Sequence, residues 1–294
     1  MQPTNRSRRR DDDDDAKSDP EIDPTIPSIA RVYDYALGGK DNYQADREVL
    51  DRALAIDPHI PTMAREHRAW SRHVIKWLVA RTELGGAGID QFLDCGSGLP
   101  TMDNTHEVAH KVNPAAKVVY VDNDPAVVTH GRALLEDNEN TCFVAADLTR
   151  PAELLEDTKV AAFLDLDRPV GLIQCATIHH IDRLADQQAV MAGYVSRLAP
   201  GSYVALTHVH DPADGSEVSR LAQATEAAYH STNATTHWRP RAEIETLFDG
   251  LEMVDPGLVP LHQWWPAGPL LQELPPVYHI ILGGVGRKPR PSSG

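Results

Sequence analysis

From Met63 to Leu84 the side chains of Met63, His67, Trp70, Val74, Trp77 and Leu78 recur at spacings of three and four, which predicts a helix with one packing face. The run "ELGGAG" ends it. From Gln91 the pattern shortens. "QFLDC", "KVVYVD", "TCFVAAD", "VGLIQCATI" and "SYVALTHV" are brief apolar runs bounded by turn residues, each suited to one buried strand. Between them, "TMDNTHEVAHKVNP", "DPAVVTHGRALLEDN" and "DRLADQQAVMAGYVSRLAPG" carry helical patterns, the first and last closed by Pro114 and by Pro200 with Gly201. Strand and helix alternating in this way predict an α/β domain, a parallel sheet with helices on both faces. After the fifth run, "EVSRLAQATEAAYHS" and "RPRAEIETLFDG" predict two further helices, and "LEMVDPGLV" and "VYHIILGGV" two late strands.

The patterning divides the chain. Residues 1–27 hold a basic block followed by five aspartates and bury too little apolar surface to offset ordering, so a disordered leader is expected. Residues 28–90 read as a helical N-terminal cap, 91–288 as the core, with 211–250 as a lid over an acceptor, and 289–294 as a tail.

With 294 residues and 41% hydrophobic content, a sizeable core is expected. The net charge of −15 disfavours polyanionic partners, so no nucleic acid is expected and a small molecule fits better. No run approaches the ~20 apolar residues that cross a bilayer. The Arg-rich N-terminal segment lacks a following apolar run, so a cytoplasmic protein without membrane association is expected. Cys95, Cys142 and Cys175 lie inside predicted strands without CxxC spacing and read as buried, reduced thiols.

Candidate chemistry gathers at the strand ends. In "FLDCGSGLPT" a strand runs into a glycine turn, where Gly96 permits a backbone angle closed to other residues and Gly98 lets a ligand approach the main chain. Thr101 stands where a dinucleotide fingerprint has a third glycine, and Pro100 where the helix would begin, which counts against a nicotinamide cofactor. Asp122 ends the second strand, about one strand–helix–strand unit later, where a carboxylate can accept both ribose hydroxyls. Asp147 ends the third, suited to an exocyclic adenine amine, with Leu148 as an apolar neighbour for the ring. Asp94, Asp122 and Asp147 therefore line the sheet edge where ligands bind. Asp124, before Pro125, reads as a helix cap.

These pieces resemble the class I S-adenosylmethionine-dependent methyltransferases: "LDCGSG" their first motif, "VYVDNDP" their second, "AADL" their third, and "TIHHI" with "LAPGSYVALTH" the segment through the fourth and fifth strands. More narrowly, "PSIARVYDYALGGKDNYQADR" with "FLDCGSGLPT" resembles an actinobacterial branch of these enzymes, the DUF574 family, over about Ile26 to Arg287. The resemblance implies a Rossmann-like, seven-stranded, mostly parallel sheet whose last two strands pair antiparallel. It implies S-adenosyl-L-methionine as cofactor, leaving as S-adenosyl-L-homocysteine. Gly96 and Gly98 would cradle the methionine part, with Asp94 near its amino group and Arg68 near its carboxylate. Asp122 would hold the ribose with Asn123 beside it, Asp147 and Leu148 the adenine, and Cys175 and Ala176 would border the sulfonium. Related chains carry Asn more often at His67, which leaves its role open.

Methyl transfer from a sulfonium asks mainly for alignment and, for a protonated nucleophile, a base. His179 and His180, after the fourth strand, are the candidate catalytic residues. His208 and His210 add a second pair, but the spacing is not that of a metal site and no metal is expected. His230, His237 and Trp238 fall in the expected lid, and Trp264 and Trp265 either pack on the core or line an aromatic pocket. The cap brings Tyr33, Tyr35 and Tyr43, with Gly38 and Gly39 breaking two short helices; Tyr33, Gly38, Lys40 and Asn42 join the cofactor set. The resulting expectation is methyl transfer to an oxygen or nitrogen of a small molecule. A regulatory S-adenosylmethionine sensor and a nicotinamide oxidoreductase are the alternatives.

Overall fold

The computed structural model describes residues 22–100, 103–134, 138–232, 234–266, 268 and 273–291. Most of the expected leader, part of the tail, and Thr101 lie outside these residues.

The five apolar runs become β1 (Gln91–Cys95), β2 (Lys117–Asp122), β3 (Thr141–Ala145), β4 (Gly171–Cys175) and β5 (Tyr203–Val209). They lie parallel in the order β3-β2-β1-β4-β5. The expected late strand over 251–259 divides into β6 (Glu252–Met253) and β7 (Val259–Pro260), and both pair antiparallel with β8 (Ile281–Arg287), which itself runs antiparallel to β5. Seven expected strands are thus eight segments, because the sixth is broken at Asp255-Pro256-Gly257.

Alternation along each strand builds two layers. Leu93, Cys95, Val119 and Val121 face a core completed by α6 (Pro151–Leu155), α7 (Thr158–Phe163), α8 (Leu184–Arg197) and α10 (Arg241–Glu245). Phe92, Val118 and Tyr120 face the other, completed by α3 (Ile60–Val79), α4 (Thr105–His110) and α5 (Pro125–Leu134). α6 and α7 were not expected. No disulfide joins the three cysteines.

The N-terminal stretch folds as α1 (Ile29–Ala36) and α2 (Gln44–Leu54), closed on one another by a buried carboxylate. Asp46 accepts from Ser28 N, Tyr43 N and Arg31 Nε, each at 2.8 Å. Gly38, at φ +84°, supplies the left-handed residue that ends α1. With α9 (Glu217–His230), these helices enclose a third apolar cluster that includes Val32, Leu50, Ile60, Val209, Tyr229 and Trp238.

Candidate functional site

The chain leaves β1 on one side of β4 and returns to it from the far edge of the sheet, so the crevice above β1 and β4 is the topological switch point. A cavity of about 560 Å³ opens there, within the range of small-molecule sites.

Its floor is the turn after β1. Gly96 and Gly98 have φ of +71° and +64°, and a Cβ at Gly96 would stand 2.2 Å from Thr177 Cγ2. No larger residue fits there. Gly98 N donates to Asp122 Oδ2 at 2.9 Å and Asp124 N to Asp122 Oδ1 at 3.0 Å, so the second strand's carboxylate braces the glycine turn. Asp124 itself caps α5, accepting from Ala126 N at 2.8 Å.

The other carboxylates are held in place by neighbours. Asp94 accepts from Thr105 Oγ1 at 2.6 Å, and burial raises its pKa to about 6 against the pull of Thr105 and Arg68. Burial also raises the pKa of Asp122, opposed by its backbone hydrogen bonds. Asp147 takes Thr149 N and Oγ1 on Oδ1 at 2.9 and 2.7 Å and turns Oδ2 toward Arg150 at 3.8 Å. Leu148 lies next to it in the wall, and its carbonyl accepts from Tyr194 OH at 2.7 Å.

β4 ends in Cys175 and is followed by Ala176 at φ +59°, an uncommon conformation for alanine. Ala176 N donates to Thr207 Oγ1 at 2.8 Å. Behind it, His67 bridges Thr207 Oγ1 at 2.9 Å through Nε2 and Tyr33 OH at 2.8 Å through Nδ1, and Tyr33 OH also reaches Ala64 O at 3.1 Å. One arrangement of hydrogens satisfies every group: Ala176 N to Thr207, Thr207 to His67, His67 to Tyr33, Tyr33 to Ala64. A chain of hydrogen bonds thus ties the cap to the backbone at the end of β4. His67 is buried and held neutral, its pKa lowered to about 3 by burial and by Arg68.

Of the residues expected at the cofactor, the structure brings Tyr33, Arg68, Asp94, Gly96, Gly98, Asp122, Asn123, Asp147, Leu148, Cys175 and Ala176 to this one cavity. Gly38, Lys40 and Asn42 are not brought to it. Asn42 donates to Asp34 Oδ2 at 2.9 Å and accepts from Arg47 at 3.0 Å, so it builds the α1–α2 connection, and Lys40 is exposed. Tyr43 is also exposed and its ring sits 5.2 Å from the Arg31 guanidinium, while Tyr35 packs in the third cluster. Trp264 is buried against Trp70 and Trp265 packs against Trp77, which places both outside the cavity.

The two candidate catalytic histidines both line the cavity but differ. His180 donates Nδ1 to Thr235 O at 2.7 Å. His179 is 4% exposed, its Nδ1 has no hydrogen-bond partner, and burial holds it far below the usual imidazole pKa. His208 and His210 donate to Val209 O and His279 O, and the His208 ring packs edge-on against His179 at 5.5 Å between centroids, so His180, His179 and His208 adjoin while His210 is held by another carbonyl.

Two contributors escaped the sequence reading. Thr105, the residue that fixes Asp94, was read only as part of a helix. Ser97, between the two glycines, has a buried Oγ without a partner, and its only sequence signal is its place inside the turn.

A sequence model of the S-adenosyl methyltransferase family matches residues 15–289. The chain belongs to this family. A protein from Thermobifida fusca YX assigned as a methyltransferase is 39% identical, with 90% of this chain and 96% of that one covered and a TM-score of 0.83. A DUF574 family protein from Streptomyces avermitilis is 36% identical, with 92% and 100% covered and a TM-score of 0.82. No curated protein matches the chain. The fold is that of a class I methyltransferase, the cofactor is S-adenosylmethionine, and the nicotinamide reading falls with the family assignment.

The cavity fits that cofactor by its own geometry. A turn that only glycine can occupy, an unpartnered Ser97 hydroxyl and the carboxylates of Asp94, Asp122 and Asp147 line it, an acceptor set matched to donating hydroxyls and amines and to a cation. No helix among the described residues is long and apolar enough to cross a membrane.

Proposed function

We propose that this S-adenosyl methyltransferase methylates the hydroxyl of a small, neutral, largely apolar acceptor. The observation that carries the reading is the continuity of one cavity from the carboxylates to an apolar end. Val32, Leu50, Ile60, Met63, Tyr229 and Trp238 line it and belong to the third core cluster, next to His179. His237 N donates to the backbone carbonyl of His179 at 2.8 Å, which joins the main chain of that residue to the segment carrying Trp238.

That end offers no charge to a charged acceptor. Asp34, a lining carboxylate near it, is buried and already accepts from Asp41 N and Asn42 Nδ2 at 3.0 and 2.9 Å. A neutral imidazole has one donor and one acceptor nitrogen. A hydroxyl can meet either, whereas a carboxylate only accepts and an ammonium only donates. His179 therefore orients the acceptor oxygen and can take its proton as that proton becomes acidic during transfer.

S-Adenosylmethionine, when bound, supplies an electrophilic methyl on a cationic sulfur. The chain does the rest by position. Gly96 and Gly98 admit the ligand to the main chain, and Asp94 and Asp122 hold its polar ends. The Thr207–His67–Tyr33 chain fixes Ala176, which supports a set distance between methyl and nucleophile. The apolar end excludes water.

Isothermal titration of S-adenosylhomocysteine tests the cofactor half, and absence of binding sinks it. Titrating the loaded protein with 2-naphthol, 2-naphthoate and 2-naphthylmethylamine tests the acceptor half. The neutral alcohol is expected to bind at least tenfold tighter than either ion, and equal or reversed affinities reject the acceptor class.

A further inference from the structure

Glu226, His230 and His237 place one potential ligand atom each within 4.8 Å of one another. We propose that they form a site for a zinc-class divalent metal that clasps α9 to the segment following it, over the acceptor end of the cavity. None of the three lines the cavity, and the group adjoins the His179–His180 pair through the hydrogen bond from His237 N to His179 O.

The first argument is spacing. Glu226 and His230 are four residues apart on α9, hence on one face, one turn from each other. His237 arrives from beyond the helix end, and its ring centroid lies 5.3 Å from that of His230. Two imidazoles and a carboxylate are a donor set that zinc accepts with a fourth position left for water.

The second argument is what surrounds the ligands. His230 donates Nε2 to Thr236 O at 2.7 Å, which leaves Nδ1 with its lone pair. His237 turns Nδ1 toward Asp182 Oδ1 at 3.4 Å, which leaves Nε2. Metal-bound histidines are held by this kind of outer oxygen, which fixes the tautomer and the ring. Glu226 Oε1 accepts from Trp238 N at 3.0 Å, so Oε2 remains.

Zinc–nitrogen and zinc–oxygen distances of about 2.0–2.2 Å bring tetrahedral ligands to ~3.4 Å from each other. Binding therefore draws His237 toward α9. His237 N is bonded to His179 O and precedes Trp238, while Tyr229 precedes His230, so the contraction acts on three residues that line the acceptor end. Metal occupancy would tighten that wall without touching the reacting atoms.

The test uses untagged, chelator-stripped protein titrated with zinc chloride by calorimetry. One zinc per chain is expected, with affinity lowered at least tenfold in Glu226→Gln and in His237→Gln and unchanged in His59→Ala, an exposed histidine elsewhere. Cobalt(II) should give the visible absorption of a four- or five-coordinate nitrogen–oxygen site, lost in the same two variants. Hydrogen exchange of the amides of residues 234–238 should slow with zinc. No stoichiometric binding, or variants that bind as the parent does, overturns the site; binding that leaves those amides unchanged overturns the clasp. Circular dichroism of each variant separates lost ligation from lost folding.

Discussion

Asp94 carries a carboxyl that burial holds at about 6, above the 3.8 of an exposed aspartate. A cationic ligand group favours the ionised form, so cofactor binding should expel a proton when the pH lies below about 6. Affinity for S-adenosylhomocysteine is then level at pH 7–8 and falls toward acid, by up to about tenfold per unit. Asp94→Asn should bind more weakly at pH 8 and lose most of the slope; an equally steep profile in that variant assigns the titration to another group. Asp122 differs because both its oxygens already brace the turn through Gly98 N and Asp124 N. Asp122→Ala should weaken cofactor binding by about 1–3 kcal/mol, and Asp122→Asn, which keeps one accepting oxygen, by less. Unchanged affinity in Asp122→Ala removes this residue from the ribose.

The first two helices show what an element adds to its residues. Tyr33, Tyr35 and Tyr43 look alike in sequence, yet only Tyr33 meets the cavity, because helix register turns it toward α3 while Tyr43 stands before α2. The break at Gly38 and Gly39 was readable from composition; that Lys40 and Asn42 would serve the turn itself was not, since that depends on where Asp34 and Arg47 come to lie. The five parallel strands were legible because each is a continuous apolar run. α6 and α7 were missed because five and six residues are too few for a helical period to emerge. The glycine turn and strand-end carboxylates were legible for the opposite reason: each is a local signal. The hydrogen-bonded chain from Tyr33 to Ala176 spans residues 33 to 207 and has no local signature. Tyr33→Phe should cost about 1 kcal/mol of stability and lower affinity for S-adenosylhomocysteine several-fold, whereas Tyr43→Phe should change neither. Equal affinities for Tyr33→Phe and the parent would reduce this chain to a packing feature. Deleting residues 1–45 is a poorer test, because Arg31, Val32 and Asp34 are buried and their loss opens the core.

At the scale of the whole molecule, the buried histidines set the acid limit of stability. Burial lowers His67 and His208 from the usual 6.5 to about 3 and pushes His179 well down, so each stays neutral when folded but takes a proton when unfolded. The unfolded chain then binds more protons between about pH 6.5 and 3, and stability falls as the pH drops through that window. Asp94 opposes this: raised to about 6, it stabilises the folded state at low pH and loses that contribution as the pH rises through 6. Asp122 acts in the same direction as Asp94. The histidines prevail, because the shifts of His67 and His208 are each larger than that of Asp94. The unfolding free energy should therefore drop by a few kcal/mol between pH 7 and 4. His208 tests the effect, since it is fully buried, is not a lining residue of the cavity, hydrogen-bonds Val209 O and Gln187, and meets the site only where its ring packs against His179. His208→Gln should be less stable than the parent at pH 7, yet lose less stability on acidification, so that the two denaturation profiles converge toward pH 4. Profiles that stay parallel from pH 7 to 4 would mean that His208 does not titrate on unfolding, and the acid sensitivity would pass to His67 and His179 at the site itself.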